Sequence, residues 1–122
     1  MGKLKLTWEN VGEYLDQIER LYGGSGLSGV YGIPRGGIVL AVMISHRLNI
    51  PLLMSPAPGC LIVDDICDSG ESLLHYAKNS SSLDKPKYII STMMCKRNDL
   101  VIPDSYWGVK TDEWIVFPWE KE

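Results

Sequence analysis

The chain has 122 residues, of which 45% are hydrophobic and 22% are charged, and these values are ordinary for one globular domain. Its 12 basic and 15 acidic side chains give a formal net charge of −3, so bulk electrostatics favours neither nucleic acid nor an anionic membrane surface as a partner. No apolar run is long enough to span a bilayer, and the first residues lack the apolar core of a signal peptide.

The predicted elements alternate between strands and helices. In chain order we predict a strand at residues 3–6, a helix at 8–22, a strand at 29–33, a helix at 36–48, strands at 51–54 and 60–63, a helix at 72–78, a polar linker at 79–87, and strands at 88–95 and 106–110. Thr7 is expected to cap the first helix, and Asn49 is expected to end the second. This alternation predicts a single α/β domain over residues 1–122, with a mainly parallel, twisted sheet flanked by helices.

The run CLIVDDICDSGES at residues 60–72 is the most informative stretch. Three apolar residues indicate a buried strand, Asp64 and Asp65 are expected to end it, and Asp68 opens a Ser/Gly turn before a helix. In open α/β sheets, ligands bind at the carboxyl ends of the strands. The turn supplies free backbone amides that hold a phosphate well. Together these features indicate a sugar phosphate, with carboxylates for ribose hydroxyls and a metal, and amides for the phosphate.

The run 60–72 resembles the phosphoribosyl pyrophosphate (PRPP) motif of the type I phosphoribosyltransferases, with serines at positions where threonines are commoner. Residues 30–37, VYGIPRGG, resemble the pyrophosphate loop of that family. Residues 112–120, DEWIVFPWE, and residues 4–9, LKLTWE, are similar to the base-binding tail and the start of bacterial xanthine-guanine phosphoribosyltransferases. The resemblance therefore implies the type I phosphoribosyltransferase fold, with a small hood from about residues 1–7 and 106–122.

For the PRPP motif, the resemblance implies that Asp64 and Asp65 hold the ribose 2′ and 3′ hydroxyls and, directly or through water, Mg²⁺. Adjacent side chains at a strand end are expected to diverge, and the alternative for this pair is a solvated or helix-capping acidic turn. Asp68 is implied to be the general base near N7 of a purine, and a helix N-cap is its alternative. The residues implied to hold the 5′-phosphate are Asp68, Ser69, Gly70, Glu71, through its amide only, and Ser72.

For the pyrophosphate loop, the resemblance implies that Arg35, Gly36 and Gly37 bind pyrophosphate. Arg35 is expected to supply charge at the site or to cross to a neighbouring subunit. In the family the peptide before this arginine is often cis, which here is the bond between Pro34 and Arg35, although Pro34 departs from the small residue expected there. The alternative for Arg-Gly-Gly alone is a surface turn.

For the base, the resemblance implies that Lys96 donates to the 6-oxo group of a purine, with the neighbouring Arg97 as the alternative donor. Trp114 is implied to stack on the purine, while the backbone of Ile115 meets the edge of the base. The alternative for Trp114 is core packing of a terminal strand, and Trp119 is expected to pack.

The chain departs from the type I pattern at residues 55–59, where the family usually carries a long mobile loop that closes over the site. The resemblance implies a purine-salvage phosphoribosyltransferase that uses PRPP, Mg²⁺ and guanine, xanthine or hypoxanthine, makes a nucleoside monophosphate and assembles as a dimer or tetramer. The short segment keeps an alternative open, a catalytically weak regulatory protein that binds PRPP or nucleotides and acts on a protein partner.

The remaining chemistry-bearing residues predict no further site. The three cysteines contain no Cys-x-x-Cys pair, so neither zinc nor a disulfide framework is indicated, and a reducing cytoplasm is the expected location. Cys67 is expected to be a buried thiol, and His46 and His75 fall in predicted helices without partners for a metal site.

Overall fold

A computed structural model describes residues 2–80, 88–98 and 100–121, with residues 78–80 described by their backbone alone. Its elements are β1 Lys3–Lys5, α1 Trp8–Tyr22, β2 Val30–Gly32, α2 Gly36–Leu48, β3 Leu52–Leu53, β4 Cys60–Cys67, α3 Glu71–Ser80, β5 Tyr88–Cys95, β6 Ser105–Val109 and β7 Trp114–Val116. Five strands form a parallel sheet in the order β3-β2-β4-β5-β6, and β1 pairs with β7 in a second parallel sheet. The predicted α/β class and parallel sheet are confirmed.

The helices cover both faces of the large sheet. On one face, buried side chains of α1 and α2 such as Tyr14 and Leu40 pack against Val63 of β4. On the other face, Leu73 of α3 packs against Ile62 of the same strand. Because β4 is covered on both sides, its first residues are continuously apolar, as expected for the centre of a parallel sheet.

The ends of the first two helices follow local sequence signals. The side chain of Thr7 accepts a hydrogen bond of 3.1 Å from the amide of Asn10, and Asn10 Oδ1 accepts one of 3.0 Å from the amide of Thr7. At the end of α2, Asn49 has a φ of 53° and adopts the left-handed conformation typical of a helix terminus. Both predicted caps are confirmed.

The prediction that β4 ends before the acidic pair is wrong. The strand continues through Asp64 and Asp65 to Cys67, because β5 lies beside it in register, with Asp64 opposite Thr92 and Cys67 opposite Cys95. On its other side, β2 ends at Gly32, opposite Val63 of β4. The last four residues of β4 therefore project beyond β2, and the amino end of α2 occupies the space beside them.

The terminal segments divide between the two sheets. The predicted hood at about residues 106–122 includes most of β6, which pairs with β5 in the large sheet, and all of β7, which pairs with β1. Helix α3 includes the first two residues of the predicted polar linker, and residues 81–87 of that linker lie outside the described part of the chain. Among the described residues, no helix combines the length and apolar character that crossing a membrane requires.

Candidate active site

The predicted site residues lie at one edge of the large sheet, where the parallel strands end. Backbone hydrogen bonds hold the chain together there: the amide of Lys96 donates to the carbonyl of Cys67 at 2.7 Å, and the amide of Lys110 donates to that of Cys95 at 2.8 Å. The amide of Ile33 donates to the carbonyl of Val63 at 2.9 Å. Segments that follow four different strands therefore meet at this edge, which is the ligand-binding edge of parallel α/β sheets.

The two adjacent carboxyl groups each accept a hydrogen bond from the backbone of the residue that follows. The side chain of Asp64 accepts a hydrogen bond of 2.8 Å from the amide of Asp65, and Asp65 in turn accepts one of 2.8 Å from the amide of Ile66. Each carboxyl group therefore contacts the backbone of β4 one residue further along the strand. Asp64 is 8% exposed, and this burial, together with the hydrogen bond and charge of Asp65, raises the pKa of Asp64 to about 8.

The carboxyl pair suits a divalent cation. Carboxylate oxygens are the ligands that Mg²⁺ prefers, and Mg²⁺ commonly uses one or two carboxylates while keeping several waters or substrate oxygens. A cation there would also favour the charged form of Asp64, whose pKa is raised by burial and by the neighbouring Asp65. Within the described residues no cluster of three or more His, Cys, Asp or Glu side chains could hold a metal ion, so other ligands would come from water or substrate.

The Arg35 loop packs directly against this pair. The peptide between Pro34 and Arg35 is cis, as the motif implied. A Cβ atom added to Gly36 would fall on the carboxylate of Asp65, and one added to Gly37 would fall on the carbonyl of Val63. The first turn of α2 therefore approaches β4 as closely as backbone can, which only glycine allows at these positions.

A cavity of about 430 Å³ lies between this loop and the end of the chain. It is lined by Arg35, Gly36, Val39, Asp65, Trp119, Glu120 and Lys121. Lys121 lies outside the motifs that the sequence analysis matched. Trp119 packs as predicted, with its ring stacked on Phe117 at a centroid distance of 4.9 Å, and this contact fixes the tail beside the cavity.

The loop at residues 68–72 leads directly into α3. The hydroxyl of Ser69 accepts a hydrogen bond of 3.3 Å from the amide of Glu71, at the start of the helix, where amides lack intrahelical partners. Asp68, Ser69 and Ser72 are exposed. The loop thus presents hydroxyl groups and first-turn amides to solvent, an arrangement that suits an anion.

The side chain of Asn98 makes hydrogen bonds next to this loop. The sequence analysis did not select this residue. Its Oδ1 accepts hydrogen bonds from the amides of Leu100 at 2.9 Å and Val101 at 2.8 Å. Its Nδ2 donates to the carbonyl of Lys96 at 3.3 Å and to Cys67 Sγ at 3.4 Å. An asparagine soon after a strand is a known signal for a side-chain-stabilised turn, but its contact with the chain before α3 is not visible in sequence.

Replacement of Gly70 by Ala is expected to lower the free energy of unfolding by about 2–3 kcal/mol, because a Cβ there opposes a φ of 88° and lies 2.6 Å from Asn98 Oδ1. Gly24→Ala is the matched control, since Gly24 has a φ of 75° with no atom within 4 Å of the added Cβ. It is expected to lose about 1 kcal/mol. Urea unfolding measures both, and equal losses would contradict a tight contact with Asn98.

The residues implied to meet the base lie at the end of β5 and on the small sheet. Trp114 is 70% exposed, so the alternative that it packs in the core is wrong, whereas Ile115 is buried. Lys96 is half-buried and Arg97 is exposed. Arg97 lines a separate cavity of about 250 Å³ together with Ile102, Tyr106, Val109 and Cys95.

Lys110, a second lysine that the sequence analysis did not select, lies beside Asp68. Its Nζ atom is 3.7 Å from Asp68 Oδ2, and its side chain is 13% exposed. It directly follows the end of β6, as Lys96 directly follows β5. The pairing of β6 with β5 brings Lys110 near Asp68, and the sequence alone does not indicate this contact.

No family model matches the chain. It is 30% identical over 118 residues to the xanthine-guanine phosphoribosyltransferase of Cereibacter sphaeroides, and the match covers 75% of this chain and 68% of that protein. The chain belongs to the xanthine-guanine phosphoribosyltransferase family. The enzyme of the same name from Desulfotalea psychrophila is 27% identical, with 77% of this chain and 71% of that protein covered.

Solved phosphoribosyltransferase structures share the fold. A purine phosphoribosyltransferase from Pyrococcus horikoshii superposes with a TM-score of 0.81 and 30% identity, over all of this chain and 97% of that one. A xanthine-guanine-hypoxanthine phosphoribosyltransferase from Helicobacter pylori gives a TM-score of 0.71 at 21% identity, covering 93% of this chain and 90% of that one. A Neisseria gonorrhoeae protein crystallised with ppGpp gives 0.67 at 19% identity, covering 99% and 92%. The predicted type I fold is confirmed.

In this member of the phosphoribosyltransferase family the predicted site residues form three groups. Arg35, Gly36 and Asp65 surround the larger cavity, with Asp64 next to Asp65 in β4. Asp68 and Lys96 lie at the ends of β4 and β5 beside Lys110. Trp114 and Ile115 lie on the small sheet a few residues further along the chain. The binding and catalytic role of each of these residues stays a prediction.

Proposed function

We propose that the protein transfers the 5-phosphoribosyl group from PRPP to a 6-oxopurine, which is guanine, xanthine or hypoxanthine, and releases pyrophosphate. The observation that carries this proposal is the placement of the adjacent carboxyl groups of Asp64, which is buried, and Asp65, which is half-buried, between the Arg35 loop and the loop at residues 68–72. That order matches the pyrophosphate, ribose and 5′-phosphate of one PRPP molecule.

In this proposal each part of PRPP has its own partners. Asp64 and Asp65 accept hydrogen bonds from the ribose 2′ and 3′ hydroxyls. Residues 68–72 hold the 5′-phosphate through amides and serine hydroxyls at the amino end of α3, where the helix dipole also favours an anion. Arg35 and the amides of Gly36 and Gly37 hold the pyrophosphate. Mg²⁺, when bound at the carboxyl pair, would neutralise charge on the departing pyrophosphate.

The proposed reaction forms one bond and breaks another at the anomeric carbon. The purine N9 attacks that carbon, the bond to the pyrophosphate oxygen breaks, and Asp68 accepts the proton from N7. The ammonium of Lys96 donates to the 6-oxo group, a contact that the 6-amino group of adenine would oppose. Trp114 stacks on the purine with its exposed ring. Positioning and fixed charge would supply most of the acceleration.

An activity assay tests this proposal. Purified protein is incubated with PRPP and Mg²⁺ and, in separate reactions, with guanine, xanthine, hypoxanthine or adenine, and nucleotide formation is followed by chromatography. We expect a monophosphate from at least one 6-oxopurine and far less from adenine. The proposal fails if none of the 6-oxopurines is converted under conditions in which a known phosphoribosyltransferase works.

A regulatory role is the second candidate. Two observations favour it: β3 and β4 are joined by only residues 54–59, and a protein of the same fold binds ppGpp. In that role the protein would bind PRPP or a nucleotide with little turnover and pass the signal to a protein partner. Calorimetry that shows tight nucleotide binding, in protein that forms no product in the assay above, would favour this role over the enzyme.

We also propose that the chain forms a homo-oligomer, a dimer or a tetramer. Exposed apolar side chains of Ile38, Leu52 and Met54, the last 90% exposed, surround an apolar cavity of about 150 Å³. Neighbouring exposed apolar side chains can mark a protein–protein interface. Met54→Glu is expected to shift the mass measured by light scattering toward the monomer, whereas Leu21→Glu on α1 leaves it unchanged. A wild-type protein that is already monomeric would contradict this proposal.

A further inference from the structure

Lys110 is a charged side chain that lies against the proposed site and has no role in the reaction above. Its backbone is fixed by the hydrogen bond to the carbonyl of Cys95, and its side chain is 13% exposed. The ammonium donates to the carbonyl of Thr111 at 3.2 Å and lies 3.7 Å from Asp68 Oδ2. An ammonium group is strongly hydrated, so a lysine is rarely withdrawn from water to this degree without a charged or polar partner.

The geometry favours an action on Asp68 over a purely structural one. Exposed ion pairs contribute little to stability, and the side chain of Asp68 is 56% exposed. An ammonium has three N–H donors. Within the described residues, one of these is accounted for by Thr111, and the 3.7 Å separation from Asp68 is an ion pair longer than a hydrogen bond. The Lys110 ammonium therefore faces the Asp68 carboxylate and has N–H donors that the carbonyl of Thr111 does not use.

We propose that Lys110 is a positioning residue that holds the Asp68 carboxylate in the orientation needed to accept the purine proton. This inference rests on the proposed transferase function. Attraction of Oδ2 toward Lys110 restricts rotation of the carboxylate and leaves its other oxygen to face N7 of the base. Lys96 and Lys110 then follow two neighbouring strands, β5 and β6, one acting on the purine and the other acting on the base that deprotonates it.

Transfer kinetics of Lys110→Met and Lys110→Arg test the inference, with Lys3→Met as the control for loss of an exposed lysine. Lys110→Met keeps the length of the side chain but not its charge. It is expected to lower kcat by about tenfold, since a general base contributes 10²–10⁴-fold in total, while KM for the purine changes less than about threefold. Lys110→Arg is expected to restore most of the loss, and Lys3→Met should match the wild type.

A double variant decides whether Lys110 acts through Asp68. In an Asp68→Asn background, Lys110→Met is expected to cause no further loss of kcat, because the group that it positions has already been removed. Losses that multiply in the double variant, or a Lys110→Met enzyme with unchanged kcat, would overturn the inference. Thermal melts identify a variant that is merely unfolded, in which case Lys110→Arg and Lys110→Gln replace it. Wild-type protein without any transfer activity would instead contradict the proposed function, and this inference with it.

Discussion

Replacement of Asp68 by Asn is expected to lower kcat for nucleotide formation by about 100- to 1,000-fold, because the amide cannot accept the purine proton. Asn has nearly the same size and shape, and the backbone amides of residues 68–72 are retained. Binding of a nucleoside monophosphate is therefore expected to change by less than about tenfold. Steady-state kinetics and calorimetry on the same preparations separate the two effects.

Asp16→Asn is the control for this prediction, since Asp16 is an exposed aspartate that pairs with Arg47 at 2.7 Å on the surface of α1. It should leave kcat unchanged. If Asp68→Asn lowered nucleotide affinity as strongly as kcat, Asp68 would act mainly in binding. If it left kcat unchanged, another group would have to accept the proton.

Replacement of Asp64 by Asn is expected to remove most of the pH dependence of stability in ligand-free protein. Burial raises the pKa of Asp64 to about 8, whereas an unfolded aspartate titrates near about 4. At pH values between about 4 and about 8, the Asp64 carboxyl group is protonated in the native state and ionised in the unfolded state. The resulting stabilisation is complete below about pH 4 and is lost as the pH rises through about 8.

This loss is on the order of a few kcal/mol for the wild type, which corresponds to a large fall in melting temperature for a domain of this size. Asp64→Asn carries no charge at any pH, so it should melt at a higher temperature than the wild type at pH 9. The difference should narrow at pH 5. Asp16→Asn should keep the wild-type slope, and a slope that Asp64→Asn also retained would contradict a buried, proton-binding Asp64.

The same substitution should weaken the dependence of PRPP binding on Mg²⁺, because it removes one of two carboxylates that could hold the cation. At high pH, Asp64→Asn is thus expected to raise the melting temperature and to weaken the Mg²⁺-dependent binding of PRPP. A buried charge at a functional site commonly lowers the stability of the fold while it serves ligand binding.

The bounds of helices α1 and α2 could be predicted from local sequence signals. The bounds predicted for α1 and α2, residues 8–22 and 36–48, coincide with those observed. Thr7 with Asn10 at one end and Asn49 at the other supply short-range caps, and neither depends on distant residues. The motifs likewise identified the loops around Arg35 and Asp68, because their chemistry is local in sequence.

The end of strand β4 could not be predicted from local sequence signals. Two adjacent aspartates are poor strand formers, and sequence favoured ending the strand before them. The strand continues because β5 offers a complete ladder of partners as far as Cys95. The same tertiary contact buries Asp64, so the raised pKa of Asp64 could not be predicted from composition or spacing.

The residues missed by the sequence analysis share a cause. Asn98 contacts Cys67, Lys110 contacts Asp68, and Lys121 lines a cavity with Arg35, and each pair is far apart along the chain. Their positions depend on the order of strands in the sheet, which hydrophobic periodicity does not determine. A resemblance based on motifs also omits them, since none of the three belongs to a matched motif position with an implied role.

A crystal structure of the protein with guanosine monophosphate and Mg²⁺ tests the central claim most directly. We expect the phosphate to bind the amides and hydroxyls of residues 68–72 and the ribose hydroxyls to contact Asp64 and Asp65. A nucleotide whose phosphate binds elsewhere, or whose ribose leaves both aspartates uncontacted, would contradict it.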